Sequence, residues 1–363
     1  MNIGIDASRA FIKKRTGTEE YSYQLIKNLT KVDTSSHQVF LYVKKKSKIN
    51  FNLPKNFIAI KICYNKLWTQ IGLSLEIKKN TVDVLFIPSH TIPIIHPKKT
   101  IVTIHGLEFK YYPTSYSFKE KLFLELNTFI AVKWSNKIIV PSESTKKDLI
   151  KFYKVDSDKI KVVYHGVSSI KYPVLSIKHN NQYSFNILFI GRLEKRKNLV
   201  NLIKAFDIFK KRYEIRDTKS KLILVGKKGF GFDEIKKTIQ ESPYRKDIIL
   251  KDYVSEDEKN KLYKKADLFI LPSLYEGFGL PILEAMSYGV PVVCSNSSSL
   301  LEVADEVALL INPNNIQEIA NAMDKIFTDD NFREKMIERG LENVKRFSWK
   351  KCVRETINIL SNC

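Results

Sequence analysis

Short apolar runs of four to six residues alternate with amphipathic stretches of ten or more along this chain, and nothing else restricts its fold so tightly. In the first half the runs are Ile3–Ala7, Val39–Val43, Val82–Ile87, Thr100–Ile104, Lys137–Val140 and Ile160–Tyr164. Helical patterns fall between several of them, at Glu20–Leu29, Trp68–Lys79, Phe118–Trp134 and Glu143–Phe152. A strand that is apolar at consecutive positions must be covered on both faces, and helices between such strands imply a parallel sheet. Ser168–Ser184, with Ser, Asn, Lys and one Pro, breaks the rhythm and reads as a linker. The alternation then restarts: strand Phe185–Ile190, helix Leu199–Arg212, strand Lys221–Val225, helices Phe232–Glu241 and Glu256–Lys265, strand Leu268–Leu271. Helix Pro281–Tyr288, strand Val290–Cys294 and helices Ile316–Phe327, Asn331–Phe347 and Trp349–Leu360 complete the pattern. Two doubly wound α/β domains facing a cleft are expected, with chemistry beyond the carboxyl ends of the strands.

Charge narrows the partners. The net charge is +22, and residues 1–170 hold 28 basic and 13 acidic side chains, a net +15. Clusters stand at Lys13-Lys14-Arg15, Lys44-Lys45-Lys46, Lys78-Lys79 and Lys98-Lys99. A polyanion partner, either nucleic acid or an anionic membrane, is one reading, and a lysine-rich solvated surface is the other. No apolar stretch reaches the roughly 18 residues of a membrane span, and the first residues lack the pattern of a secretory signal. Cys63, Cys294, Cys352 and Cys363 have no metal-ligand spacing, which favours a reducing, cytoplasmic setting over a disulfide framework.

Two segments carry chemistry. In Asp267–Met286 a buried strand ends at Leu271, a loop bearing Gly277 and Gly279 follows, and Pro281 suits the first position of a helix. The amides of Gly277, Phe278, Gly279 and Leu280 at such a helix start form a phosphate seat. Glu276 and Glu284 stand on either side of it, able to accept hydrogen bonds from hydroxyls at both ends of a diphosphate ligand. In the second segment a strand delivers Gly191 and Arg192 to its carboxyl end, and Lys197 follows five residues later. Two cations there would stabilise a departing diphosphate. Glu194, Lys195 and Arg196 between them read as a solvated charge run.

Taken together, the two segments resemble family 4 retaining glycosyltransferases of the GT-B fold, whose signatures are two glutamates with seven residues between them and an upstream Gly-Arg…Lys-Asn/Gly. The likeness covers nearly the whole chain. Gly4–Ala7 followed by Gly17–Tyr21 resembles the first strand and glycine loop of that family, and His105 in Thr-Ile-His-Gly resembles its histidine beside the transferred sugar. Val140-Pro-Ser-Glu, Val163–Val167 and Phe347-Ser-Trp349 match further family landmarks. The resemblance implies an N-terminal acceptor-side domain over 1–168 and a linker over 169–184. It places a nucleotide-sugar domain over 185–347 and a helix over 348–363 that crosses back to the first domain. It further implies that Arg192 and Lys197 contact the donor diphosphate, Glu276 the sugar and Glu284 the ribose. Gly17, Gly191, Gly277, Phe278, Gly279 and Leu280 would contribute backbone to the donor, and the Val254 segment would meet the base. Departures are Glu20, Gly106, His165 and Leu301, where the family commonly has a basic residue, an acid, Asn and Pro.

The resemblance implies a retaining hexosyltransferase, moving a mannose- or glucose-type sugar from a nucleotide diphosphate sugar to a glycan or lipid-linked acceptor. It needs no cofactor and no metal, because protein cations take the metal's electrostatic part, and no nucleic acid. Its place is cytoplasmic, peripheral to the inner face of an anionic membrane. The alternatives are a GT-B sugar-nucleotide epimerase and a basic nucleic-acid-binding protein. Asp156-Ser-Asp158, in a lysine-rich turn, reads as solvated rather than as a metal-binding pair. Gly226–Gly231 lacks dinucleotide-fingerprint spacing and reads as a loop near the cleft, in reach of donor phosphate. His90 and His96 read as ordinary loop histidines.

Overall fold

The computed structural model describes residues 1–64, 67–167, 185–213 and 219–363. The chain divides into two compact units. The first comprises Met1–Leu107, Phe118–Gly166 and Phe347–Cys363, and the second Glu108–Ser117 and Val167–Arg346. The expected linker over 168–184 lies outside the described residues.

In the first unit the strands are β1 (Asn2–Asp6), β2 (Gln38–Lys44), β3 (Phe57–Ile62), β4 (Val84–Ile87), β5 (Thr100–Thr103), β6 (Lys137–Val140) and β7 (Ile160–Val162). They form one parallel sheet in the order β3-β2-β1-β4-β5-β6-β7. All four residues of β4 and of β5 are buried, as strands covered on both faces require. The unit's main helices are α1 (Gly17–Leu29), α2 (Ser74–Lys79), α4 (Phe118–Trp134) and α5 (Glu143–Tyr153); a short α3 (Glu108–Tyr111) belongs to the second unit. The single helix expected over Trp68–Lys79 is in fact a π-helical turn, Trp68–Leu73, running into α2.

The second unit repeats the plan with β8 (Asn186–Ile190), β9 (Lys221–Val225), β10 (Ile248–Lys251), β11 (Leu268–Leu271), β12 (Val292–Ser295) and β13 (Leu309–Ile311), parallel in the order β10-β9-β8-β11-β12-β13. Its helices are α6 (Leu199–Arg212), α7 (Phe232–Glu241), α8 (Glu256–Lys265), α9 (Leu280–Ser287), α10 (Leu300–Ala304), α11 (Ile316–Thr328) and α12 (Asp330–Val344). Chain direction across the sheet reverses at β1 in the first unit and at β8 in the second. These are the positions where ligands bind in open α/β sheets.

The last helix, α13 (Trp349–Ser361), joins the first unit, where Trp349, Cys352, Val353 and Leu360 enter the same core as Ile3, Ile5, Leu25 and Ile26. Gly166 makes this junction close, because a β-carbon there would overlap the Trp349 backbone nitrogen.

Candidate active site

In the second unit the sheet delivers two loops to the switch point. One leaves β8 with Gly191 and Arg192; the other leaves β11 and carries Tyr275, Glu276 and the glycines before α9. The Leu274 amide donates to the Arg196 carbonyl at 3.0 Å, tying the loops backbone to backbone.

Between them runs an alternating row of charges. Arg192, with its side chain 56% exposed, stands 3.5 Å from Glu194; Arg196 lies 2.7 Å from Glu194 and 3.6 Å from Glu276; Lys197 donates to the other oxygen of Glu276. The Arg196 guanidinium also donates to the Tyr275 carbonyl at 2.6 Å. This corrects the reading of Glu194 and Arg196 as a solvated run: both side chains are only 12% exposed, and the cations and carboxylates neutralise one another in place. Lys195 alone of the three is exposed. Burial pushes the Glu276 carboxyl up, but the Lys197 and Arg196 charges outweigh it and hold the group below the ordinary carboxylate range. Burial likewise opposes the charge of Arg196, and Glu276, Glu108 and Glu194 reverse that, so it stays firmly protonated.

Serines fix the Glu276 backbone from the loop after β12: Ser298 Oγ accepts its amide at 2.9 Å, and Ser299 Oγ donates to its carbonyl at 2.8 Å. The segment Glu108–Ser117 adds a ring beneath the loop, Tyr111 stacked on Tyr275 at 5.4 Å. Sequence reasoning passed over these groups, because nothing local marks a serine run or an isolated tyrosine as supports for a distant glutamate.

Helix α9 begins at Leu280 behind Gly279, whose φ of +99° is left-handed and whose added β-carbon would meet Leu300 Cδ2 at 2.6 Å. The amides of Gly279 and Leu280 find no acceptor among the described residues. One turn on, Glu284 receives Lys259 Nζ at 2.8 Å on one oxygen and the Tyr263 hydroxyl at 2.9 Å on the other. Lys259 and Tyr263 are four residues apart on α8, a spacing that puts both on one helix face. Each oxygen of Glu284 keeps capacity to accept from a ligand.

The loop Gly226–Gly231 lies alongside Leu193–Lys195: the Leu193 amide donates to Lys227 O at 2.8 Å, Gly229 to Leu193 O at 2.9 Å and Lys195 to Phe230 O at 2.9 Å. Gly226 is required there, since its φ is +152° and a β-carbon would overlap Gly191 O. Gly191 thus seats this second loop as well as starting the first. Lys227 approaches the Tyr253 ring at 5.3 Å, beside Val254.

In the first unit, Gly17 opens α1, exposed, with nothing within 4 Å of an added β-carbon. Glu20 accepts from Arg15 at 2.7 Å. His105 follows β5, and its Nε2 donates to Pro88 O at 2.9 Å. Its backbone amide donates to His90 Nε2 at 2.9 Å, and the two imidazoles stack at 5.7 Å. His90 is therefore a support for His105 and not an ordinary loop histidine. Tyr21 contacts the rings of both His105 and His165, at 4.8 and 4.4 Å, and His165 stacks on Trp349 at 6.2 Å. Burial, then the neighbouring His105 and Arg9, bring His90 from its ordinary 6.5 down to about 3. Asp156 and Asp158 are exposed, and the Asp158 amide donates to the Asp156 carboxylate at 2.9 Å.

Comparison with known proteins gives this geometry a relative. The profile described as Glycosyl transferases group 1 matches residues 176–343, and that described as Glycosyltransferase Family 4 matches residues 15–169. O-antigen chain mannosyltransferase B of Escherichia coli is 31% identical over 268 residues, 72% of this chain and 70% of that protein. Among solved structures, sucrose-phosphate synthase from Thermosynechococcus elongatus superposes with a TM-score of 0.78 at 18% identity, covering 99% of this chain and 98% of that one. Anabaena HepE in complex with UDP and glucose superposes at 0.73 and 17% identity, with both chains fully covered. Two parallel sheets, each reversing direction beside an ionic or aromatic cluster, the glutamates 276 and 284, and these matches lead to one assignment: the chain belongs to the family 4 glycosyltransferases and has the GT-B fold.

Proposed function

We propose that the protein transfers a hexose from a nucleotide diphosphate sugar to an acceptor hydroxyl with retention at the anomeric carbon. The observation that carries this reading is the charge row that runs from exposed Arg192 to Glu276, three residues before the open amides of Gly279 and Leu280. That arrangement suits a diphosphate, and a mannosyltransferase among the relatives and a UDP–glucose complex among the structural neighbours agree with it. Arg192, Lys197 and the backbone of Gly277–Leu280 are assigned the diphosphate, Glu284 the ribose, Val254 the base, and Gly17, Gly191 and His105 the remaining donor contacts.

In the proposed reaction the acceptor oxygen bonds to the anomeric carbon on the face the leaving group departs from. The bond from that carbon to the phosphate oxygen breaks, and the acceptor proton passes to the released phosphate. Products are the glycoside and a nucleoside diphosphate. A double displacement on Glu276 is disfavoured, because its carboxylate already faces two cations and is a weak nucleophile. The cations take the place a divalent metal would fill, so activity is expected to persist in chelator. A lipid-linked sugar at the cytoplasmic leaflet is the proposed acceptor, on the strength of the +15 first half; among the described residues no helix is long and apolar enough to cross a membrane.

Thermal shift against UDP, GDP, ADP and dTDP tests the donor reading, followed by product analysis with the radiolabelled sugar nucleotide of whichever stabilises. Stabilisation by one of them, lost in Arg192→Ala, is expected. No stabilisation by any, or a released epimer in place of a transfer product, overturns it.

A further inference from the structure

Helix α4 wears its large apolar side chains on the outside. Phe118, Leu122, Leu126 and Phe129 follow at intervals of four, four and three residues, one stripe of a helix. Phe118 is 81% exposed and the other three about half, while the buried face holds only Thr128 and Ala131. A helix anchored by its small residues, with its aromatic and leucine side chains in solvent, is the reverse of what a folded core demands.

Side-chain contacts continue the patch beyond α4. Trp134 stacks on His96 at 5.6 Å, next to exposed Ile94 and Ile95. The Ile95 amide donates to Ser74 Oγ at 3.1 Å, beside exposed Leu75. Contiguous apolar surface of this kind marks an interaction site. Its rim is predominantly basic: Lys78, Lys79, Lys98, Lys99, Lys119 and Lys133 are all exposed, against one exposed acid on α4, Glu120. Glu125, the acid in the middle of α4, receives the Tyr153 hydroxyl at 3.1 Å.

We infer that this face of the first unit, centred on α4, seats in the headgroup layer of an anionic lipid bilayer, with the aromatic and leucine side chains inserted and the lysines on the phosphates. Apolar side chains ringed by lysine fit a surface that is oily within and negative at its boundary. A second copy of the chain would bring equal positive charge against this rim. The inference rests on the membrane side of the proposed function and deepens it by naming the surface. The nucleotide thermal shift reads the donor chemistry separately.

Sedimentation with vesicles of phosphatidylcholine, with and without phosphatidylglycerol, tests it on the full chain. Binding at low salt is expected only when phosphatidylglycerol is present. Lys119→Gln with Lys133→Gln weakens it, and Phe118→Ser with Phe129→Ser lowers the partition coefficient at least about tenfold. Melting should be unchanged in both variants, and Phe118→Trp should bind at least as tightly as the parent. Wild-type protein that fails to sediment with phosphatidylglycerol vesicles overturns the membrane reading and this surface together. Serine variants that sediment like the parent overturn the surface alone. Self-association in solution that Phe118→Ser with Phe129→Ser abolishes overturns it in favour of a second copy.

Discussion

Arg196→Met removes the middle member of the charge row while keeping a side chain of similar length. Its guanidinium lies 2.7 Å from Glu194 and 3.6 Å from Glu276 and donates to Tyr275 O. Without it, the cation left beside Glu194 among the described residues is the distant and exposed Arg192, and the one left beside Glu276 is Lys197. Stranding a buried carboxylate in this way costs about 3–5 kcal/mol. Glu194 can turn toward solvent, so about 3 kcal/mol is expected. In a unit of this size 1 kcal/mol moves the midpoint by roughly 2–4 °C, so the second unit should melt about 6–12 °C lower. Lys195→Met, one residue away and exposed, should change stability by no more than about 0.5 kcal/mol. The acid limb adds a sign. Because Glu276 is held below its ordinary 4.5, its contribution is present above that pH and lost as pH falls through the folded value. Losing Arg196 raises that folded value and shrinks the contribution. Adding Glu194→Gln to Arg196→Met should recover part of the loss, since the stranded charge is gone. Calorimetry across this set, from pH 7 downward, decides the matter. If Arg196→Met melts within a degree of the parent, or no earlier than Lys195→Met, the row is surface decoration.

Gly226→Ala should prevent a stable second unit, while Gly17→Ala should leave melting unchanged and weaken donor binding; equal melting of the two variants contradicts the close approach at Gly191. Tyr263→Phe strips one donor from Glu284, and calorimetric titration should show a nucleoside diphosphate bound roughly threefold to tenfold more weakly. Unchanged affinity removes Glu284 from the site. His90 is neutral in the fold with its value near 3 against 6.5 when unfolded, so its contribution is complete above 6.5 and declines as pH falls below it. His90→Gln should flatten denaturant-unfolding stability between pH 6.5 and 5, by up to about 1.4 kcal/mol per pH unit, and an unchanged slope refutes it.

How much of the fold the sequence disclosed depends on which signals are local. β4 and β11 sit inside their sheets, are covered on both faces, and therefore read as unbroken apolar runs; β5 and β8, also inside, keep apolar centres at Ile101-Val102 and Ile187–Ile190. The strands that escaped notice, β3, β10 and β13, all lie at sheet edges. There one flank has no neighbour: β3 mixes exposed and buried positions, and β13 has three residues. Glu276 and Glu284 were legible because a glycine loop and a proline announce a helix start. Arg196 was not, because the partner that buries it lies about eighty residues along the chain. Its neighbours Lys195 and Lys197 have the same local sequence context but opposite exposure. No short window of sequence separates the three. The same holds for His90, whose role exists only once β5 brings His105 beside it.

The helix α13 sets an order on how the molecule can be made. Its residues Trp349, Cys352, Val353 and Leu360 fill the interior that Ile3, Ile5 and Leu25 begin, so the earliest part of the chain leaves the ribosome lacking a piece of its own heart. The intervening unit, continuous apart from Glu108–Ser117, is synthesised and free to fold while the first waits unfinished. Nascent chains halted before Trp349 should accordingly expose the first unit, and not the second, to protease.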